Sequence, residues 1–245
     1  MFKSTNPVLS RMDNKELLLD SKPMTVSGTI AKVFVLLLIA LISGGAVFYQ
    51  TILGGFSDKV MIILTVALIG GLIAGLASAI FPKMAKYLAP IYAFAEGALL
   101  AGLSLFLETQ FPGIAVQAVA GTFVAFLVML TLYKAKIIKA TAKFRSTIMT
   151  ALITIMILYL ISLVGSFFNF SIPFITGTGP MSILFSGIVV VIASLCLILD
   201  FDFIEEGQKN QLPKDYEWYG AFGLMVTLVW LYIEILNLLA KLRDN

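Results

Sequence analysis

Apolar residues in this chain run in long unbroken stretches, and polar residues are confined to the gaps between them. A helix that spans a bilayer needs about 20 consecutive, mainly apolar residues. Seven stretches qualify: Ala31–Leu53, Val60–Phe81, Leu88–Leu107, Ile114–Tyr133, Thr147–Phe168, Met181–Ile204 and Tyr219–Ala240. Chain-breaking residues separate them, among them Gly54-Gly55, Pro82, Pro112-Gly113, Gly177 to Pro180, and Pro213. Barrel strands would alternate apolar with polar residues, and these runs do not. In lipid every backbone N–H and C=O must be paired internally, which leaves helices. The predicted fold is an all-α polytopic membrane protein. Residues 1–30 are read as a polar N-terminal tail and 31–245 as the membrane domain. The first apolar segment starts too far into the chain, and runs too long, for a cleaved signal peptide.

Composition agrees. The 245 residues are 60% hydrophobic and 13% charged, where soluble domains average about 45–50% and about 25%. Mean hydropathy is +1.00. There is no histidine, so imidazole cannot serve as metal ligand, base or pH switch. The one cysteine, Cys196, allows no intrachain disulfide. A net charge of +3, spread over loops, gives no reason to expect nucleic-acid binding.

The basic residues carry the topology. The N-terminal flank holds Lys3, Arg11, Lys15, Lys22 and Lys32. The second loop holds Lys83 and Lys86, the fourth runs from Lys134 to Arg145, and the sixth holds Lys209 and Lys214. Only Lys59, Lys241 and Arg243, of 17 basic residues, fall on the other side. Positive charge concentrates on the cytoplasmic side. The N-terminus is therefore expected inside and, with seven spans, the C-terminus outside. The fourth loop, rich in lysine, is expected to meet the anionic leaflet.

Acidic residues inside the spans are the candidates for function, because each costs about 2.5–3.5 kcal/mol to insert. Glu96 lies mid-way in the third segment, Glu234 within the seventh, and Asp200 and Asp202 late in the sixth. Two carboxyls sharing one site cannot both be charged cheaply and would hold a proton between them. Lys83 and Lys86 are candidate cationic partners, since they share a side with Asp200. Oxygen ligands suit Ca²⁺ or Mg²⁺, and these two to four carboxyls could contact a passing cation without forming a tight cage. Measured from the apolar boundaries, Asp200 lies roughly 6 Å deep and Glu234 roughly 22 Å. Contact between them requires the sixth helix to reach about Gly207 or the seventh to begin near Gly223. Gly71 and Gly75 have the spacing of close helix packing.

Three stretches resemble the Bax-inhibitor (transmembrane BAX inhibitor motif) family, in its bacterial branch: Asn6 to Leu9 with Met24 to Lys32; Leu199-Asp-Phe-Asp-Phe-Ile-Glu-Glu-Gly207; and Glu217 to Leu239, with Leu231-Tyr-Ile-Glu234 at its heart. The resemblance implies two three-helix layers around a central seventh helix. It also implies a bacterial inner-membrane protein and a pH-dependent Ca²⁺ leak gated by an acidic pair, here Asp200 and Glu234, with Ca²⁺ as permeant ion and no cofactor. Glutamate stands at 234 where the broader family has aspartate. A second reading is a regulator that partners a membrane protease or another membrane protein in the stress response. An enzyme is not expected, because neither a His-Glu-x-x-His nor a Gly-x-Ser-x-Gly motif is present.

Overall fold

A computed structural model describes residues 22–168 and 170–244. Among them are eight α-helices: α1 Val26–Gly54, α2 Asp58–Ile80, α3 Ala85–Gln110, α4 Ile114–Lys134, α5 Ala142–Phe167, the short α6 Pro173–Thr176, α7 Pro180–Lys209 and α8 Tyr216–Asp244. A 3₁₀ turn, Pro82–Met84, leads into α3. The seven long helices match the seven apolar segments, and all but α6 are long and apolar enough to span a bilayer.

Local chemistry sets the ends. The Thr25 hydroxyl accepts from the Gly28 N–H and caps α1, and Thr141 does the same for α5 through Phe144. Pro180 opens α7, where a missing N–H is harmless. Gly113 turns the chain into α4 at φ +82°, a conformation other residues rarely adopt. The Glu108 carboxylate accepts from Gly113 N and Ala115 N, which caps the positive end of α4.

The helices pack as two groups joined by α8. In one group α3 lies against both α1 and α2; in the other α7 lies against α4 and α5. Helix α8 touches α1, α3, α4 and α7. Half of the α8 span is buried, against 11% for α4 and for α5. The outer helices turn large apolar side chains outward, such as Leu41, Val116 and Leu160, as lipid contact requires. The main core is built from α8 residues such as Ala221, Met225, Leu231 and Leu236, meeting Leu36 of α1, Ile114 of α4 and Leu197 of α7. This is the two-layer arrangement around a central last helix.

Small residues set the closest approaches. A Cβ on Gly97 of α3 would stand 2.1 Å from the Ala40 carbonyl oxygen of α1. Gly71 and Gly75 do face α3, where added Cβ atoms would meet Ala95 at 3.1 Å and the Tyr92 ring at 3.2 Å.

The two ends of the bundle separate the loops as seven crossings demand. At one end Pro23 bridges Pro213, Lys86 lies 3.9 Å from Asp215, and Arg145 pairs with Asp202 at 2.7 Å. At the other, Arg243 donates to the Pro112 carbonyl and Lys241 to that of Ile175, both at 2.8 Å. That bonding explains the two basic residues that break the charge bias. They tie the end of α8 to neighbouring loops and suit its negative pole. Of the N-terminal tail, residues 1–21 lie outside the described residues, as does the Asn6 to Leu9 stretch. The rest is part of the fold: Met24 is buried and α1 already begins at Val26.

Candidate functional site

Helices α7 and α8 run antiparallel and pack against each other, and each carries a stripe of residues at three- and four-residue steps, the spacing that keeps one face of a helix on its neighbour. On α7 the stripe is Ser186, Val189, Ala193, Cys196, Asp200 and Gly207. On α8 it is Gly220, Gly223, Thr227, Trp230, Glu234 and Lys241. Lys241 donates to Ser186 Oγ at 2.8 Å. Nearer the other end, a Cβ on Gly223 would stand 3.8 Å from Asp200 Oδ1, and Thr227 adjoins the same carboxyl. Asp200 is therefore level with Gly223 and Thr227.

Glu234 is seven residues beyond Thr227, two turns or about 10 Å along the axis. Its Oε1 accepts from Tyr159 of α5 at 2.9 Å and from Trp230 at 3.0 Å. Tyr159 in turn packs edge-on against Phe185 of α7, with ring centroids 6.2 Å apart. The structure thus does not bring Asp200 and Glu234 together. Helix α7 does reach past Gly207, to Lys209, but α8 begins earlier than the apolar pattern suggests, at Tyr216. The pair stays apart because its two members sit at different depths on the same seam.

The two acids differ in their surroundings. Glu234 is buried and hydrogen-bonded. Asp200 Oδ2 is buried and has no hydrogen-bond partner among the described residues. A buried polar atom left without a partner costs about 1–3 kcal/mol, more when charged, so such a group calls for an explanation, with a bound water, a bound ion or a functional role as the candidates.

The other candidates sit elsewhere. Asp202, two residues on, projects about 200° round α7 from Asp200. It pairs with Arg145 of α5, and Tyr133 donates to it at 3.4 Å and to Glu205 at 2.7 Å. Arg145 also reaches Glu206 at 3.3 Å. The cations among the acids of α7 are thus Arg145, in the first turn of α5, and Lys209, which pairs with Glu205 at 2.6 Å. Lys86 approaches Asp215, and Lys83 is exposed. Neither pairs with Asp200 among the described residues. Glu96 lies in the groove between α2 and α3, where a Cβ on Gly71 would be 3.7 Å from its Oε1 and where it adjoins Tyr92. Tyr92 connects it to α8 through an edge-on contact with Phe222, centroids 5.2 Å apart.

Four residues were not singled out by the sequence reading: Thr227, Tyr159, Trp230 and Glu217. The three-and-four spacing from Gly220 to Glu234 would have placed Thr227 and Trp230 on one face. No sequence signal marks Tyr159 or Glu217, whose partners lie 75 and 185 residues away in the chain.

The fold and its polar seam define an integral membrane protein with seven spanning helices and intramembrane carboxyls. The chain belongs to the Bax inhibitor 1 like family, whose model matches residues 6–244. No curated protein and no solved structure matches it.

Proposed function

We propose that the protein is a cation leak of the bacterial plasma membrane, with Ca²⁺ as a permeant ion, whose path follows the α7–α8 seam past Asp200. The observation that carries this reading is the buried, unpartnered Oδ2 of Asp200 opposite a glycine. An intramembrane acid of this kind marks an ion or proton path by default. Gating by carboxyl protonation then centres on Asp200 beside Thr227, and Glu234 acts as a separate acid two turns further on. Metal contact at either acid is transient: among the described residues no three acidic or sulfur side chains cluster to hold an ion. The charge bias sets the basic end in the cytoplasm and the C-terminus outside.

The test is flux of Ca²⁺ and of K⁺ from proteoliposomes between about pH 5 and about pH 8. Wild-type protein is expected to leak above protein-free vesicles in a pH-dependent way. Asp200→Asn, which fixes the neutral state, is expected to remove that pH dependence and change the flux about tenfold, or about 1.4 kcal/mol. Wild-type flux no higher than that of empty vesicles would overturn the leak. Together with recovery of a stoichiometric membrane protease from native membranes, it would favour the regulatory role.

A further inference from the structure

The seam that holds Asp200 is capped at its basic end by the short segment that precedes α1. Residues Lys22–Thr25, just before α1, cross the end of α7 and the turn that follows it. Met24 N donates to Leu212 O at 2.7 Å, Lys214 N to Lys22 O at 3.0 Å, and Pro23 forms an isolated antiparallel bridge with Pro213. The Met24 side chain is 1% exposed and seated on Gly207, where an added Cβ would meet its sulfur at 2.6 Å. Gly207 lies on the same stripe of α7 as Asp200, two turns towards the end, or about 10 Å. One step across the seam, Gly220 of α8 is covered by Thr29 of α1, whose methyl would stand 3.3 Å from a Cβ there.

A buried polar latch holds this strap down. The Glu217 side chain of α8, 2% exposed, accepts from Thr25 N at 2.9 Å and Thr25 Oγ1 at 3.0 Å, and pairs with Lys32 of α1. Val26 N donates to Gln208 Oε1 at 2.8 Å. Gly28 leaves the space that the carboxylate fills, since a Cβ there would lie 2.3 Å from Oε1. The strap is held by these few directed bonds and by Met24, which with Leu212 joins the main apolar core, and a contact confined to so short a segment can open as a unit.

We propose that Lys22–Thr25 is the inner gate of the seam, with Met24 as its plug and Glu217 with Lys32 as its latch. The proposal rests on the leak reading for its role, while the opening of the strap can be measured without flux. The Pro23–Pro213 bridge suits a covalent lock: opposed residues of an antiparallel pair have Cα atoms about 4.5–5.5 Å apart, within the range a disulfide spans. In a Cys196→Ala background, Pro23→Cys with Pro213→Cys is expected to oxidise readily. The oxidised protein should leak about tenfold less than the reduced one, and reductant should restore the leak. A second arm reads the strap directly. Leu212→Cys, in the same background, should be protected from a water-soluble maleimide in otherwise wild-type protein. It should become labelled when Lys32→Met and Glu217→Gln remove the latch together. Failure of the cysteines to cross-link, equal leak in the oxidised and reduced forms, or unchanged protection of position 212 would each overturn the gate. Absence of any wild-type leak, with labelling of position 212 that follows the latch, would instead remove the leak reading and leave the moving strap standing.

Discussion

Gly97→Ala is expected to destabilise the protein by about 3 kcal/mol, at the upper end for an overpacked core. One methyl group is added, yet it lands 2.1 Å from the Ala40 carbonyl oxygen, 2.3 Å from Ser43 Oγ and 2.6 Å from Ala40 Cα. Two of those atoms are backbone and cannot rotate away. Helix α1 would have to withdraw from α3, and a Cβ on Gly44, already 2.9 Å from the Gly97 carbonyl, shows how little space the crossing holds. Thermal unfolding in detergent measures the loss. Gly45→Ala is the control: nothing lies within 4 Å of its Cβ. There alanine should be neutral or stabilising by up to about 1 kcal/mol, the helix preference alone. Equal melting of the two variants would contradict the close crossing.

Glu217→Ala is expected to cost about 3–5 kcal/mol, the loss seen when one partner of a buried ion pair is removed. The Lys32 side chain is only 16% exposed and would keep its charge without its counter-ion. The N–H and hydroxyl of Thr25 would lose their acceptor as well. Removing both charges with Lys32→Met and Glu217→Gln should cost markedly less than Glu217→Ala alone, because no unpaired ion is left behind. Chemical unfolding of the three proteins checks the order. A double variant no more stable than the single one would mean that the pair contributes little through its charge.

The spans were legible because hydropathy needs only the chain's own composition, and lipid leaves the backbone one solution in each segment. Helix ends were less so. Helix α7 continues five residues past Ile204 on polar residues, held by Lys209 to Glu205 at 2.6 Å and Arg145 to Glu206, where the apolar signal has already stopped. The carboxyls in lipid were found by their cost, but their partners were not. Partnership depends on the register between helices, and small residues such as Gly223 and Ala193 set that register without leaving a trace in hydropathy. Local likeness of Leu231 to Glu234 to a family motif pointed to a pair with Asp200. Depth decides otherwise, placing Thr227 opposite Asp200 and Tyr159 beside Glu234. Lys83 and Lys86 shared the right side of the membrane with Asp200 but not the right helix faces, and Arg145, grouped with the basic loop, turned out to pair with Asp202.

The central claim is that Asp200 works in the seam without Glu234. A double-mutant cycle on Ca²⁺ flux with Asp200→Asn, Glu234→Gln and the combination measures this most directly. Groups more than about 7–10 Å apart that share no partner add to within about 0.3–0.5 kcal/mol. The two effects should therefore add, with the pH dependence lost through Asp200 alone. A coupling above about 1 kcal/mol, or a pH dependence that both single variants abolish equally, would show a shared proton and contradict the account.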